Sequence, residues 1–194
     1  MEPIVQLNSN AKLSEHFTLG ELTKSGSHPE VYNIPSHEAI ENMKRLCIWL
    51  EELRQRYNDK YVVVKGDVST TLDMTGGGGT LGMTSSSLSS RPSEARGEIS
   101  EEPIRLNSGY RSPQLNRAIG GVSNSNHLTG CAVDIRVENM EQLIRYAAIL
   151  LDISNETHQD FDELLIEKNR YGAVWVHFAV RPSNNRRKVM FLNA

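Results

Sequence analysis

Apolar side chains recur at helical spacing from His37 to about Tyr57, with Ile40, Met43, Leu46, Cys47, Leu50 and Leu53 forming one stripe. Glu41, Lys44, Arg45, Glu51 and Glu52 fall on the opposite side, and Asn33-Ile34-Pro35-Ser36 supplies a turn and a capping residue. The spacing predicts a core-packing helix. Ahead of it, Thr18-Leu19-Gly20-Glu21 is a capping box that opens a short helix ended by Gly26. Tyr61-Val62-Val63-Val64 predicts a short strand, and so does Pro103 to Ser108, broken by Gly109. Ser112-Pro113 starts a helix that Gly120-Gly121 stops. Ala132 to Val137 alternates as a strand. Asn139 then opens a helix that buries Leu143, Ile144, Ala147, Leu150 and Leu151. Two more strands, Asp162 to Glu167 and Val174 to Val180, are joined through Lys168-Asn169-Arg170-Tyr171-Gly172 as a hairpin. Helices packing on a small antiparallel sheet give the class α+β.

The pattern lapses between Gly66 and Glu102, where Ser, Thr and Gly dominate, including Gly76-Gly77-Gly78-Gly79. Such a stretch cannot offset its ordering entropy by burial. The expected organisation is one domain over 1–194 with a flexible insertion at 66–102. Lys and Arg number 21 against 24 Asp and Glu, with no basic stripe, which argues against nucleic acid as a partner. Arg186-Arg187-Lys188 is expected to be a solvated tail face. Cys47 and Cys131 fit no Cys-x-x-Cys pattern and are expected to be free thiols. Met1 to Gln6 carries neither a basic nor an apolar leader region, and no apolar run is long enough for a bilayer. The expectation is a monomer made in the cytoplasm, any extracytoplasmic substrate being reached by a separate exit route.

The chemistry concentrates in Ser125-Asn126-His127-Leu128-Thr129-Gly130-Cys131-Ala132-Val133-Asp134, with Trp175-Val176-His177 far downstream. Two histidines and an aspartate make a three-ligand zinc set that leaves a fourth position for water. Strand alternation puts Val133, Ile135 and Val137 on one face and Asp134 on the other. It likewise separates Val174, Val176, Phe178 and Val180 from Trp175 and His177. The acid and the last histidine can therefore share a cleft if their strands are neighbours. Gly130 frees the backbone to turn from the loop of His127 into the strand. Cys131 points away from Asp134 and is expected in the core. His16, His28, His37 and His158 sit at element ends or in polar turns and are expected at the surface.

The ten-residue segment, the preceding Ser108-Gly109-Tyr110-Arg111 and the late Trp175-Val176-His177 resemble the zinc D-Ala-D-Ala carboxypeptidases and dipeptidases. That group includes the L-alanyl-D-glutamate peptidases of phage endolysins and shares its fold with the hedgehog signalling domain. Phe17-Thr18-Leu19-Gly20-Glu21-Leu22 and Asn33-Ile34-Pro35 resemble one branch of it. The resemblance implies that His127, Asp134 and His177 bind Zn2+. It implies that Arg111 points at a substrate carboxylate or developing oxyanion, and that Ser125 and Tyr110 lie against substrate. Family members often carry a carboxylate three residues before the last histidine, where this chain has Val174. Glu167, on the polar face of the preceding strand, is the expected general base instead. The implied substrate is the stem peptide of bacterial peptidoglycan in the cell wall or periplasm, cut at D-Ala-D-Ala. The alternatives are an L-alanyl-D-glutamate endolysin peptidase or a non-catalytic, zinc-stabilised cell-wall-binding domain.

Overall fold

A computed structural model describes residues 7–62 and 101–193. The expected insertion, apart from its last two residues, and the strand residues Val63 and Val64 lie outside that range. The elements are α1 (Leu19–Thr23), α2 (His37–Tyr61), β1 (Leu106–Ser108), α3 (Pro113–Ala118), β2 (Ala132–Arg136), α4 (Met140–Thr157), β3 (Glu163–Lys168), β4 (Val174–Ala179) and β5 (Lys188–Asn193). A 3-10 turn at Asn126–Thr129 precedes β2.

The strands form one sheet in the order β1-β2-β4-β3-β5. Neighbours pair antiparallel except β3 with β5, which run parallel. The sheet is therefore mixed, and the class is α+β. The expected small antiparallel sheet holds for three of the four strand pairs; the parallel fourth forms because the Arg186-Arg187-Lys188 segment, solvated at Arg186 and Arg187 as expected, is also tied to the sheet. Arg186 pairs with Asp162 and Glu163, which turns the chain back along β3 so that Lys188 opens β5. The run Val189-Met190-Phe191-Leu192 has no alternation to announce a strand, and Val189, Met190 and Phe191 remain largely exposed.

One face of the sheet carries Val133, Ile135, Leu164, Val176 and Phe178, all buried under α2 and α4. α2 contributes Met43, Leu46, Leu50 and Leu53 to that layer, as its stripe predicts. Trp49 packs on Phe178 and Phe161, with ring centroids 5.3 and 6.4 Å away. Fully burying side chains of this size contributes about 1.5–3 kcal/mol each, so the α2–α4–sheet sandwich fixes the strand register.

Three local expectations change. α2 continues through Tyr61, whose ring packs under the Arg145 guanidinium at 4.1 Å, and Val62 caps the helix instead of opening a strand. On α4 the buried stripe runs through Leu143, Tyr146, Ile149, Leu150 and Ile153, while Ile144 is 61% exposed. α1 ends at Thr23 with Lys24 already extended, before Gly26 is reached. Its capping box is present, as are the predicted caps Ser36, Ser112 and Asn139.

Candidate metal centre

Asp134 of β2 and His177 of β4 are direct cross-strand partners. Both lie on the face opposite the apolar layer, so their side chains rise side by side. His127 arrives from the 3-10 turn. Ser125 caps that turn, its Oγ accepting the His127 N–H at 3.3 Å. The Asn42 amide of α2 donates to the Thr129 carbonyl at 2.9 Å and ties the turn to the core. Gly130 then reverses the chain at φ 72°, and a Cβ there would stand 2.5 Å from the Ala39 carbonyl oxygen. Only glycine meets both demands, and the close approach to α2 aims the imidazole at the sheet.

The three side chains converge. His127 Nε2 lies 3.3 Å from His177 Nδ1 and 3.3 Å from Asp134 Oδ1, and His177 Nδ1 lies 3.0 Å from the same oxygen. These three are the cluster of possible metal ligands found among the described residues. The fit to zinc can be tested on this triangle. Bonds of about 2.0–2.1 Å at tetrahedral angles separate donor atoms by roughly 3.3–3.4 Å. The observed edges meet that requirement with shifts of a few tenths of an ångström. All three residues are buried, which is costly for polar groups unless something satisfies them.

The surroundings select the ligand atoms. His127 Nδ1 donates to the Gly109 carbonyl at 2.6 Å, which leaves the Nε2 lone pair free for a metal. His177 Nε2 faces Glu163 Oε2 at 3.6 Å, which leaves Nδ1 for the same centre. Arg111 holds the other oxygen of Asp134, with Nη2 to Oδ2 at 2.6 Å, and its Nε donates to Ser108 Oγ at 3.0 Å. Sequence reasoning did not single out Glu163. It lies on the polar face of β3, and the paired register of the hairpin places it beside Ala179, within reach of His177.

The charges follow from this packing. Burial pushes the Asp134 carboxyl upward, but the adjoining imidazoles of His127 and His177 outweigh it and hold the group below the usual carboxylate range. His177 hydrogen-bonding brings the Glu163 carboxyl down to about 2 against the opposing effect of burial. For His177 itself, burial disfavours the cation, yet hydrogen bonds to Asp134 and Glu163 raise it from 6.5 to about 9.

The sign of that last shift makes two opposed pH dependences. In the metal-free protein His177 is charged at neutral pH, and a metal must displace its proton. Apparent affinity for Zn2+ is therefore expected to rise about tenfold per pH unit between pH 7 and about 9 and to level off above. The stability of the metal-free fold runs the other way. The raised value contributes stability that is fully present below pH 6.5 and is lost as pH rises through 9. Thermal unfolding in chelator and in excess Zn2+ across this range checks both; parallel curves would contradict the assignment of His177.

A cleft of about 760 Å³ opens over the centre, lined by Arg111, Ser125, Glu163, Glu167 and Trp175 besides the three candidate ligands. Glu167 pairs across the hairpin with Trp175, one step along the polar face from His177. Tyr110, expected against substrate, faces the other way. It is 6% exposed within the core, and its hydroxyl points to the Ile34 carbonyl at 3.4 Å. Adjacent residues of an extended segment point to opposite sides, and Arg111 takes the cleft side. Cys131 is buried and free and does not enter the ligand cluster.

A search among curated proteins returns no match. No helix among the described residues is long and apolar enough to cross a membrane. A family model described as Peptidase M15 matches residues 93–156, about a third of the chain, spanning β1, α3, the 3-10 turn, β2 and nearly all of α4. Two of the three converging residues lie inside that match and His177 is the cross-strand partner of Asp134, so over this third the chain is similar to the M15 peptidases and carries a buried His/Asp/His cluster suited to holding a metal.

Proposed function

We propose that this protein hydrolyses peptide bonds in the stem peptide of bacterial peptidoglycan, in the manner of a D-Ala-D-Ala carboxypeptidase. The observation that carries the reading is the buried His127–Asp134–His177 triangle, which lines the cleft. Zinc held there supplies electrophilic activation of water and of a carbonyl.

The residues around it divide the remaining work. Glu167 accepts a proton from the attacking water on its carboxylate and returns it to the leaving amine nitrogen. The new bond joins the water oxygen to the carbonyl carbon, and the bond that breaks is carbon to nitrogen. Arg111, held by Asp134 and Ser108, turns its remaining donors to the substrate carbonyl oxygen as negative charge develops there. Ser125 borders the path of the substrate backbone. Glu163 keeps His177 in the tautomer that offers Nδ1. No serine or cysteine acts as nucleophile, so no acyl-enzyme forms.

Incubation with purified peptidoglycan tests the reading. Free D-alanine and shortened stem peptides are expected with zinc and are expected to vanish with a chelator. Free amine ends on D-glutamate would move the cut to the L-Ala-D-Glu bond. Binding to the wall with no new ends under either condition would favour a non-catalytic module, a reading to which Val174 in place of a carboxylate gives some support.

A further inference from the structure

Asn126, next in the chain to His127, touches both halves of the metal centre without being one of its candidate ligands. Its main-chain carbonyl accepts the Cys131 N–H at 3.0 Å and the Thr129 hydroxyl at 3.1 Å, which closes the 3-10 turn and leads into β2. Its side chain reaches across to the start of β3. The amide nitrogen donates to Asp162 Oδ2 at 2.8 Å and to Glu163 Oε2 at 2.9 Å. A carboxamide carries two hydrogens on that one nitrogen, so both are spent on carboxylates.

The two acceptors differ in freedom. Asp162 is fully buried. Arg186 holds its carboxylate through Nε at 2.8 Å and Nη2 at 2.7 Å, and its main chain bonds to Ala179 and Lys188. Its position is fixed. Glu163 is drawn two ways. Its Oε1 meets Arg186 Nη2 at 2.9 Å and Lys188 Nζ at 3.4 Å. Its Oε2 accepts from Asn126, and the same oxygen stands 3.6 Å from His177 Nε2. Arg186 and Lys188 pull the carboxylate toward the β5 side, and the charge-assisted bond from Asn126 keeps one oxygen beside His177. The residue type follows from this geometry. Aspartate at 126 would set a third carboxylate against two, and serine, one bond shorter, would not span both.

We propose that Asn126 is a positioning residue: anchored on Asp162, it holds the Glu163 carboxylate against His177 and so keeps the two imidazoles of the centre at one spacing. The inference rests on the reading of His127, Asp134 and His177 as a zinc centre and is independent of which bond is cleaved. One side chain links the backbone that carries His127 to the carboxylate that orients His177, so a shift at either is passed to the other. Outer partners of this kind orient metal-bound imidazoles.

Chelator competition for Zn2+ on the full chain, together with the visible absorption of the Co2+-substituted protein, provides the test. Asn126→Ala is expected to weaken zinc binding about 10–100-fold and to change the position and intensity of the cobalt bands, with circular dichroism unchanged. In a Glu163→Ala background the same substitution is expected to cost less than about threefold, because the carboxylate it steers is gone. A role confined to closing the turn would instead give the same loss in both backgrounds. Asn126→Ser, whose hydroxyl suits the turn but cannot reach both carboxylates, takes the place of the alanine variant if that variant does not fold. A zinc affinity within about threefold of the parent with the cobalt bands unmoved would overturn the assignment, and so would a loss that persists undiminished without Glu163. Wild-type protein that takes up neither ion would overturn the zinc centre itself, and the proposal with it.

Discussion

Asp134→Ala is expected to abolish zinc binding and peptide hydrolysis together. The carboxylate is the one anionic member of the triangle, and its loss leaves two imidazoles with no charge to balance a divalent ion. Changes in residues that merely support a ligand typically cost 10–100-fold in metal affinity, and loss of the ligand itself should exceed that range. The variant also strands Arg111 and the charged His177, both of which lean on Asp134. Removing one partner of a buried ion pair costs about 3–5 kcal/mol, so the metal-free variant should unfold at a lower temperature than the metal-free parent. Asp134→Asn keeps the shape and separates the effects, restoring much of the fold but not the metal. Zinc analysis after dialysis, with circular dichroism to confirm folding, reads both. A folded variant that retains one equivalent of zinc would remove Asp134 from the ligand set.

Glu167→Gln is expected to behave in the opposite way. Zinc stays at full stoichiometry and turnover falls by about 10²–10⁴, the usual contribution of a positioned general base. Glu167 touches none of the ligands directly; it sits one step along the sheet from His177, opposite Trp175. The amide therefore removes the proton acceptor and leaves the centre intact. Because Val174 occupies the position three residues before His177, this prediction bears on whether a carboxylate from a different strand does that work. Unchanged turnover in a zinc-replete Glu167→Gln protein would exclude it, and the pH profile of Glu163→Gln would then be the next comparison.

Much of the fold was legible because alternation and helical periodicity are local. Val133, Ile135, Val176 and Phe178 announced the core face, and the same count assigned Asp134 and His177 to the other face. What periodicity could not supply was pairing. That β2 and β4 are neighbours, and in the register that sets Asp134 beside His177, is decided by long-range packing under α2 and α4. β5 escaped notice because its parallel pairing depends on an ion pair, Arg186 to Asp162, between residues far apart in sequence. Ile144 was misassigned because an apolar residue one position off the stripe looks the same in a short window; Tyr146, amphipathic, holds the buried place.

The candidate site was legible to the extent that its residue types declare themselves. His127, Asp134 and His177 are residue types that together can coordinate a metal, and the fold brings them within reach of one another. Arg111 could be placed near the centre but not given its partner, since nothing local says that Nη2 meets Asp134 rather than a ligand. Tyr110 shared a segment with Arg111, and that adjacency misled, because neighbours in an extended chain face opposite sides. Asp162, Glu163 and the arginines beyond β4 were invisible as a group, since charged residues in a strand and a tail ordinarily face solvent. Their burial and mutual pairing arise only once β5 returns alongside β3.

X-ray absorption at the zinc edge, on protein loaded with one equivalent of metal, examines the ligand set most directly. The account predicts a first shell of nitrogen and oxygen only, at about 2.0–2.2 Å, with the outer-shell scattering of two imidazoles. A sulfur scatterer near 2.3 Å, or a shell lacking the two imidazoles, would contradict it.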